Sequence, residues 1–311
     1  MKDLIRNLSP FNNRTEMPIG VFIIKKFLAF ALIYVVAAVL HEALVLGVFY
    51  GMGYDPLHGE MPEGILPELL LYYGFVFFAV VAVLYWVFVE KDSLRALGLA
   101  GRGPDYIAGV LIAVAMLGVV VAIGMVAGAV TFFDINSQPD AVVLSLYAAG
   151  FAIQGASEEI LCRGFFFRSL KKKLSVRAAV IISPVPFIVL HLKNTSLLES
   201  TPLFAVLGII NLYLVSLVFA LLVEKRSNLW VACGLHGMWN FVLYCVLGLT
   251  LSGNGTGSLG ILNFRVNEAG IFVGGEYGLE AGLAVTIVLI ISVVLLIAVD
   301  KCVEEVTDNG I

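Results

Sequence analysis

Residues 106–133 read YIAGVLIAVAMLGVVVAIGMVAGAVTFF and contain no charged side chain. A helix of ~20 apolar residues crosses the ~30 Å hydrocarbon core of a bilayer, so this run is long enough to span a membrane. Three further charge-free runs occupy residues 69–89, 202–223 and 281–299. The chain is therefore predicted to be an α-helical membrane protein that crosses the bilayer several times.

The composition of the whole chain agrees with this class. Hydrophobic residues make up 60% of the 311 residues and charged residues only 14%, whereas about a quarter of the residues in a typical soluble domain are charged. The mean hydropathy is +0.99. No segment is basic enough to suggest a nucleic-acid surface, so the lipid bilayer is the expected environment and nucleic acid is not an expected partner.

Hydropathy predicts an all-α polytopic membrane protein with about eight transmembrane helices. The predicted spans are residues 27–50, 66–89, 106–132, 142–168, 177–192, 202–223, 229–250 and 279–300. The fifth contains Pro184 and Pro186 and is expected to be kinked or broken, because proline cannot donate a helix hydrogen bond. The third, fourth and seventh are rich in glycine and alanine, which lets helices approach each other closely.

Basic residues alternate between the loops. Lys and Arg cluster before the first span and after the second, fourth and sixth, whereas the remaining loops between spans hold only Lys193, Arg265 or no basic residue. The positive-inside rule therefore places both termini in the cytoplasm. Short cytoplasmic tails are expected at residues 1–20 and 301–311, with a single membrane-embedded domain at residues 21–300.

Three polar clusters lie inside these apolar spans. They have the patterns EExxxR, FxxxH and HxxxN, and they comprise Glu158, Glu159, Arg163, Phe187, His191, His236 and Asn240. A charge near the bilayer centre costs at least ~2.5–3.5 kcal/mol on insertion-based scales, so such residues indicate function. Counting ~1.5 Å per residue from the cytoplasmic helix ends places the polar groups roughly 12–21 Å deep. Similar depths predict one site built from three spans.

Helix geometry gives the two glutamates different roles. Glu159 and Arg163 are spaced i,i+4 and share a helix face, as an ion pair requires. Glu158 points about 100° away on a helix of ~3.6 residues per turn, towards a cavity. A carboxylate that is partly desolvated there suits a general base that activates water.

The two histidines and the asparagine complete a hydrolytic set. His191 could hold the same water or pass a proton onward. His236 and Asn240 are also spaced i,i+4, so an imidazole N–H and an amide NH₂ can converge as an oxyanion hole. Base, water and oxyanion donors together predict hydrolysis of an amide bond.

Structural interpretations compete with this prediction. The Glu159–Arg163 pair alone would more often be structural, and Phe187 alone would be a packing residue. His41 and Glu42 begin an HExxH-like pattern, but position 45 is Val45, so that zinc signature is absent and the pair is expected to be structural or to line a cavity. A transporter with a proton relay is a further hypothesis, although no internal repeat supports it.

The three motifs, in this order and on separate spans, resemble those of the CAAX protease and bacteriocin-processing family of intramembrane proteases, including the type II CAAX prenyl endopeptidases. The signature covers roughly residues 90–250. The resemblance implies an eight-helix core with a cavity open to the cytoplasm, in an integral membrane protein of the prokaryotic plasma membrane. It also implies a membrane-associated protein or peptide substrate, which in some relatives is prenylated.

By the same resemblance, Glu158 and His191 activate the water, and His236 and Asn240 stabilise the oxyanion. The family has been described both as metalloproteases and as glutamic proteases. Glu158, His191 and His236 could hold Zn with an open coordination position, but the preferred interpretation requires no cofactor. The alternative function is a non-proteolytic immunity or scaffold protein of the membrane that retains the motifs.

Overall fold

The computed structural model describes residues 2–101, 103–192, 197, 199–253, 259–267 and 270–308, and the chain is predominantly helical in these ranges. The helices are α1 (Lys2–Leu8), α2 (Ile19–Gly51), α3 (Leu66–Gly74), α4 (Val76–Phe88), α5 (Leu94–Leu97), α6 (Gly103–Val126), α7 (Ala141–Glu159), α8 (Arg168–Lys171), α9 (Val176–Ile182), α10 (Pro184–His191), α11 (Pro202–Arg226), α12 (Trp230–Phe241) and α13 (Leu283–Asp308). The strands are β1 (Val130–Ile135) and β2 (Leu262–Val266).

Within the described residues, five helical segments are long and apolar enough to cross a membrane. They are Ile19–Gly51, Leu66–Phe88, Gly103–Val126, Ala141–Lys171 and Pro202–Arg226. Shorter apolar helices, Val176–His191, Trp230–Val246 and Leu283–Ala298, occupy the other three predicted positions. Length and composition thus support five spans, and the prediction of eight depends on the three shorter helices.

The third predicted span ends earlier than hydropathy indicated. Helix α6 stops at Val126, and Gly128 then adopts a positive φ of 67°, which a glycine tolerates and which ends the helix. The β-branched and aromatic residues that follow form β1, which pairs antiparallel with β2. Phe132 and Phe264 face each other across this pair with ring centroids 5.5 Å apart. The all-α expectation therefore misses a two-stranded sheet.

Prolines break the fifth predicted span. Helix α9 ends at Ile182, and α10 begins at Pro184 after the single intervening residue Ser183. Proline is well tolerated at the first position of a helix, where its missing N–H would have no partner. The predicted interruption is confirmed, and it leaves α10 as a separate short helix that ends at His191.

Helix α12 lies between α6 and α7, and glycines bring the three backbones together. A Cβ atom on Gly109 of α6 would lie 2.1 Å from the carbonyl oxygen of Val231 in α12. A Cβ on Gly155 of α7 would lie 2.7 Å from the backbone nitrogen of Gly237 in α12. Only glycine fits at such distances, so the close approach predicted from the glycine-rich spans is confirmed.

The basic helix ends meet at one end of the bundle. Lys26 of α2 pairs with Glu90 after α4, and Lys172 after α8 contacts the same carboxylate. The Arg226 Nε atom at the end of α11 lies 3.1 Å from Asp105 Oδ1 at the start of α6. The positive-inside rule assigns this end to the cytoplasm, and that orientation stays a prediction.

Parts of the predicted loops and tails lie outside the described residues. These are residues 1, 102, 193–196, 198, 254–258, 268–269 and 309–311, and they include the loop residue Lys193. Within the described chain, α1 forms inside the expected N-terminal tail. Helix α13 continues to Asp308, through most of the segment 301–311 that was expected to be a tail.

Candidate active site

The three motifs converge on one cavity. Its volume is about 1020 Å³, and its lining includes Glu158 from α7, His191 from α10, and His236 and Asn240 from α12. Phe187, the first residue of FxxxH, also lines it. The four residues predicted to be catalytic, which are far apart in the chain, are therefore brought together around a single space.

Glu159 and Arg163 form the predicted ion pair behind the cavity wall. Arg163 Nη1 lies 2.9 Å from Glu159 Oε1, and both side chains have no exposed surface. Arg163 Nη2 donates to Ser216 Oγ at 2.7 Å. The guanidinium lies 4.6 Å from the ring centroid of Phe187 and 4.8 Å from that of Phe219, in cation–π geometry. These contacts fix Arg163 and give Phe187 a packing role in the site.

Glu159 also orients His236, a contact that the sequence analysis did not foresee. Its Oε1 lies 2.9 Å from His236 Nδ1. An ionised carboxylate only accepts hydrogen bonds, so Nδ1 carries the proton of this bond. The imidazole stacks on Phe219 with an interplanar angle of 13°. The ring therefore has a fixed position, and its Nε2 lies 3.9 Å from Glu158 Oε2.

Glu158 is linked to Asn240 through Gln154, which the sequence analysis did not place in the site. Gln154 Nε2 lies 3.4 Å from Glu158 Oε1, and Asn240 Nδ2 donates to Gln154 Oε1 at 3.2 Å. Gln154 lines the same cavity. Gln154 thus joins α7 to α12. Its position four residues before Glu158, in an otherwise apolar helix, is the signal that could have found it.

The two ring nitrogens of His191 have different roles: Nδ1 makes a backbone hydrogen bond, and Nε2 is the one assigned to the cavity. Its Nδ1 lies 2.8 Å from the carbonyl oxygen of Phe187, and a carbonyl oxygen can only accept. The proton of neutral His191 therefore lies on Nδ1, and Nε2 has a lone pair. The side chain is half-buried and lines the cavity. The break at Ser183 thus does not remove His191 from the site.

Two π-helical segments adjoin the motifs. Residues Ile160–Phe167 form one directly after Glu159, and residues Val242–Val246 form the other shortly after Asn240. Such segments are rare and occur frequently at functional sites. Neither was predicted, because a π-turn depends on where one backbone hydrogen bond shifts and not on the apolar pattern of the helix.

A second carboxylate in the cavity, Glu68 of α3, is bound by tyrosine hydroxyls. Tyr72 donates to Glu68 Oε1 at 3.1 Å, and Tyr147 of α7 donates to Oε2. Tyr147 has no exposed surface. The contact therefore ties α3 to α7 beside the cavity, and no sequence motif indicated it.

A third carboxylate, Glu280, attaches the loop before α13 to the site. Its Oε1 accepts from Trp239 Nε1 at 3.2 Å, and its Oε2 accepts from the backbone N–H of Ser252 at 2.6 Å. Its carbonyl oxygen accepts from Asn211 Nδ2 of α11 at 2.8 Å. Since Trp239 directly precedes Asn240, this loop supports the helix that carries the amide.

The arrangement of the donor side chains determines whether the site could hold a metal ion. Among the described residues, no three His, Cys, Asp or Glu side chains are grouped so that they could hold a metal ion. In particular, Glu158, His191 and His236 do not form such a set in this arrangement. The donor set therefore does not match a zinc site, and no step below runs through a metal.

Comparison with known proteins finds a family match over the middle of the chain. Residues 140–242 match the family model described as type II CAAX prenyl endopeptidase Rce1-like. The matched range contains all seven motif residues. A search of curated proteins gives no match. The segment that carries the cavity is thus similar to the type II CAAX prenyl endopeptidases.

Proposed function

We propose that this protein is an intramembrane endopeptidase that hydrolyses peptide bonds of membrane-associated proteins or peptides. The observation that carries the proposal is the division of the polar residues around the cavity. Glu158, His191, His236 and Asn240 line it, whereas Glu159 is closed off with Arg163 behind its wall. A purely structural cluster would have no reason to leave four polar groups facing a cavity.

Water activation is assigned to Glu158 and His191. The Glu158 carboxylate and the lone pair on His191 Nε2 are both acceptors at the cavity. One takes a proton from a water molecule while the water oxygen attacks the carbonyl carbon of the peptide bond. General base catalysis of this kind contributes ~10²–10⁴-fold to the rate.

Oxyanion stabilisation is assigned to Asn240 and His236. Asn240 Nδ2 carries two hydrogens, one of which goes to Gln154, so the second is available to the substrate oxygen. His236 can donate from Nε2 only when both ring nitrogens are protonated. The carboxylates of Glu159 at 2.9 Å and Glu158 at 3.9 Å give this imidazolium two charge partners.

Collapse of the tetrahedral intermediate completes the reaction. The C–N bond breaks, and the leaving amine takes the proton that the base removed from the water. The carbonyl carbon keeps the water oxygen in a new carboxylic acid, whose remaining proton is then lost to the amine or to water. No redox step and no covalent enzyme intermediate are needed.

The cavity lining fits a substrate with an apolar segment. Besides the polar groups, the wall includes Phe49, Phe78, Leu212 and Leu289. Apolar walls with a few placed polar groups are typical of sites that orient a largely apolar ligand. The similarity of residues 140–242 to the type II CAAX prenyl endopeptidases adds a prenylated C-terminal peptide as one substrate to test.

The test uses the purified protein in liposomes and a pool of synthetic membrane peptides, with and without a farnesyl group, analysed by mass spectrometry. The wild type should cleave at defined bonds. Glu158→Gln and His191→Ala should each lower the rate by ~10²-fold or more. Glu63→Gln, which changes an exposed loop glutamate, is the matched control and should retain activity.

Full activity of Glu158→Gln would refute the proposal. A chelator arm separates the two mechanistic classes, because a metal-free hydrolase should be unaffected by it. An uncleaved pool, together with an immunity phenotype that Glu158→Gln retains, would instead support the non-proteolytic scaffold function.

A further inference from the structure

We infer that Gln154 is a positioning residue that makes the amide orientation of Asn240 depend on the ionised carboxylate of Glu158. The inference rests on the proposed hydrolytic function. It goes beyond the three motifs, none of which includes this glutamine.

The relay of contacts starts at the Glu158 carboxylate. An ionised Glu158 only accepts hydrogen bonds, so the end of the Gln154 amide nearest to it must be the NH₂ group. The Nε2 atom lies 3.4 Å from Glu158 Oε1. This contact leaves Gln154 Oε1 on the other side of the amide, as an acceptor.

The orientation of the Gln154 amide in turn determines that of Asn240. Because Gln154 presents an oxygen at 3.2 Å, the group of Asn240 that faces it must be NH₂. The opposite orientation would place two carbonyl oxygens against each other. Asn240 is thereby held with its NH₂ group, and not its oxygen, towards Gln154, and both residues line the cavity. An oxyanion is stabilised by those donors and would be repelled by the oxygen.

The helix packing makes this relay possible. Gly155, the neighbour of Gln154, approaches Gly237 so closely that a Cβ would lie 2.7 Å from its backbone nitrogen. The backbones of α7 and α12 are thus near enough for one glutamine side chain to contact both Glu158 and Asn240. Methionine has a similar length but provides no N–H donor and only a weak acceptor, so it tests the amide without removing the bulk.

The first experiment measures kcat and KM of Gln154→Met with a peptide that the wild type cleaves. Loss of orientation should lower kcat at least ~10-fold, but less than the ~10²–10³-fold expected from removing an oxyanion donor outright. KM should change little, because the donor acts mainly in the transition state. Ser145→Ala, on an exposed part of the same helix, is the control and should behave as wild type.

A double-variant cycle separates positioning from a general structural role. If Gln154 acts through Asn240, then Gln154→Met should cause no further loss of kcat in an Asn240→Ala background. If Gln154 were merely structural, Gln154→Met would lower kcat by the same factor in both backgrounds. Gln154→Glu should move the acidic limb of the kcat–pH profile to higher pH, because two adjacent carboxylates resist joint ionisation.

The possible outcomes are distinguishable. A cleaving wild type with unchanged kcat in Gln154→Met overturns this inference and leaves the proposed function intact. Additive losses in the double variant also overturn it. A wild type that cleaves no peptide overturns the proposed function, and this inference with it. If Gln154→Met is unstable in a thermal unfolding assay, the kcat–pH profile of Gln154→Glu is used instead. An acidic limb that does not move to higher pH would then overturn the inference.

Discussion

Two buried clusters of opposite charges differ in what their carboxylates contact. At the basic end of the bundle, Glu90 presents one oxygen to Lys26 and the other to Lys172. In the motif cluster, Glu159 is closed off with Arg163, but its neighbour Glu158 faces the cavity. Both clusters bear the cost of burying charge, but only the second has a carboxylate that lines the cavity. A position at the cavity, rather than burial itself, distinguishes the candidate catalytic carboxylate from Glu90 and Glu159.

The largest expected effect is that of Glu159→Gln, because Glu159 serves both the ion pair and the orientation of His236. Arg163 would lose its buried counter-charge, which costs about 3–5 kcal/mol of unfolding free energy when one partner of such a pair is removed. Cleavage should fall as well, since His236 would lose its charged acceptor. Denaturant titration and the peptide assay measure the two effects. Normal stability with normal cleavage would contradict the description of Glu159 as a shared anchor.

Glu90→Gln should lower the stability of the protein without changing its activity. It leaves Lys26 buried opposite a neutral amide, so the free energy of unfolding should fall by up to about 3–5 kcal/mol. The kcat of the protein that remains folded should not change. Asp92→Asn is the matched control, because it alters a partly exposed partner of Lys172 and should cost under ~1 kcal/mol. A selective loss of kcat in Glu90→Gln would mean that the two clusters are coupled.

Tyr147→Phe gives the smallest expected effect and tests a carboxylate that lines the cavity but belongs to neither cluster. Glu68 lines the cavity as Glu158 does, but it is hydrogen-bonded by tyrosines. Losing one hydrogen bond to a charged group should cost about 1.5–3 kcal/mol of stability. Cleavage should stay within a few-fold of wild type. Tyr73→Phe, whose hydroxyl donates to the exposed Leu146 carbonyl, is the control with a smaller loss. Abolished cleavage in a stable Tyr147→Phe would assign Glu68 to the chemistry.

Much of the site follows from local spacing in the sequence. The i,i+4 spacing of Glu159 and Arg163 led to the ion pair, and the roughly 100° offset of Glu158 led to its place at the cavity. The prolines at 184 and 186 led to the break in the fifth predicted span. These features depend on one helix at a time, and helix periodicity is visible in the sequence.

Contacts between distant segments were the ones missed. The hydrogen bond from His236 to Glu159 joins residues 77 positions apart, and that from Asn240 to Gln154 joins residues 86 positions apart. The attachment of Glu280 to Trp239 is of the same kind. Such contacts depend on how helices rotate and approach each other, which no local periodicity specifies.

By itself, the sequence determined the membrane class, the approximate positions of the helices and the identity of the seven motif residues. Apolar length and polar residues inside apolar runs have few physical solutions in lipid, which is why these features are readable. Only the tertiary structure decided that Glu159 holds His236, that Gln154 joins Glu158 to Asn240, and that α6 ends in a strand pair. Each of these depends on hydrogen bonds between segments distant in sequence, which exist only when the chain is assembled.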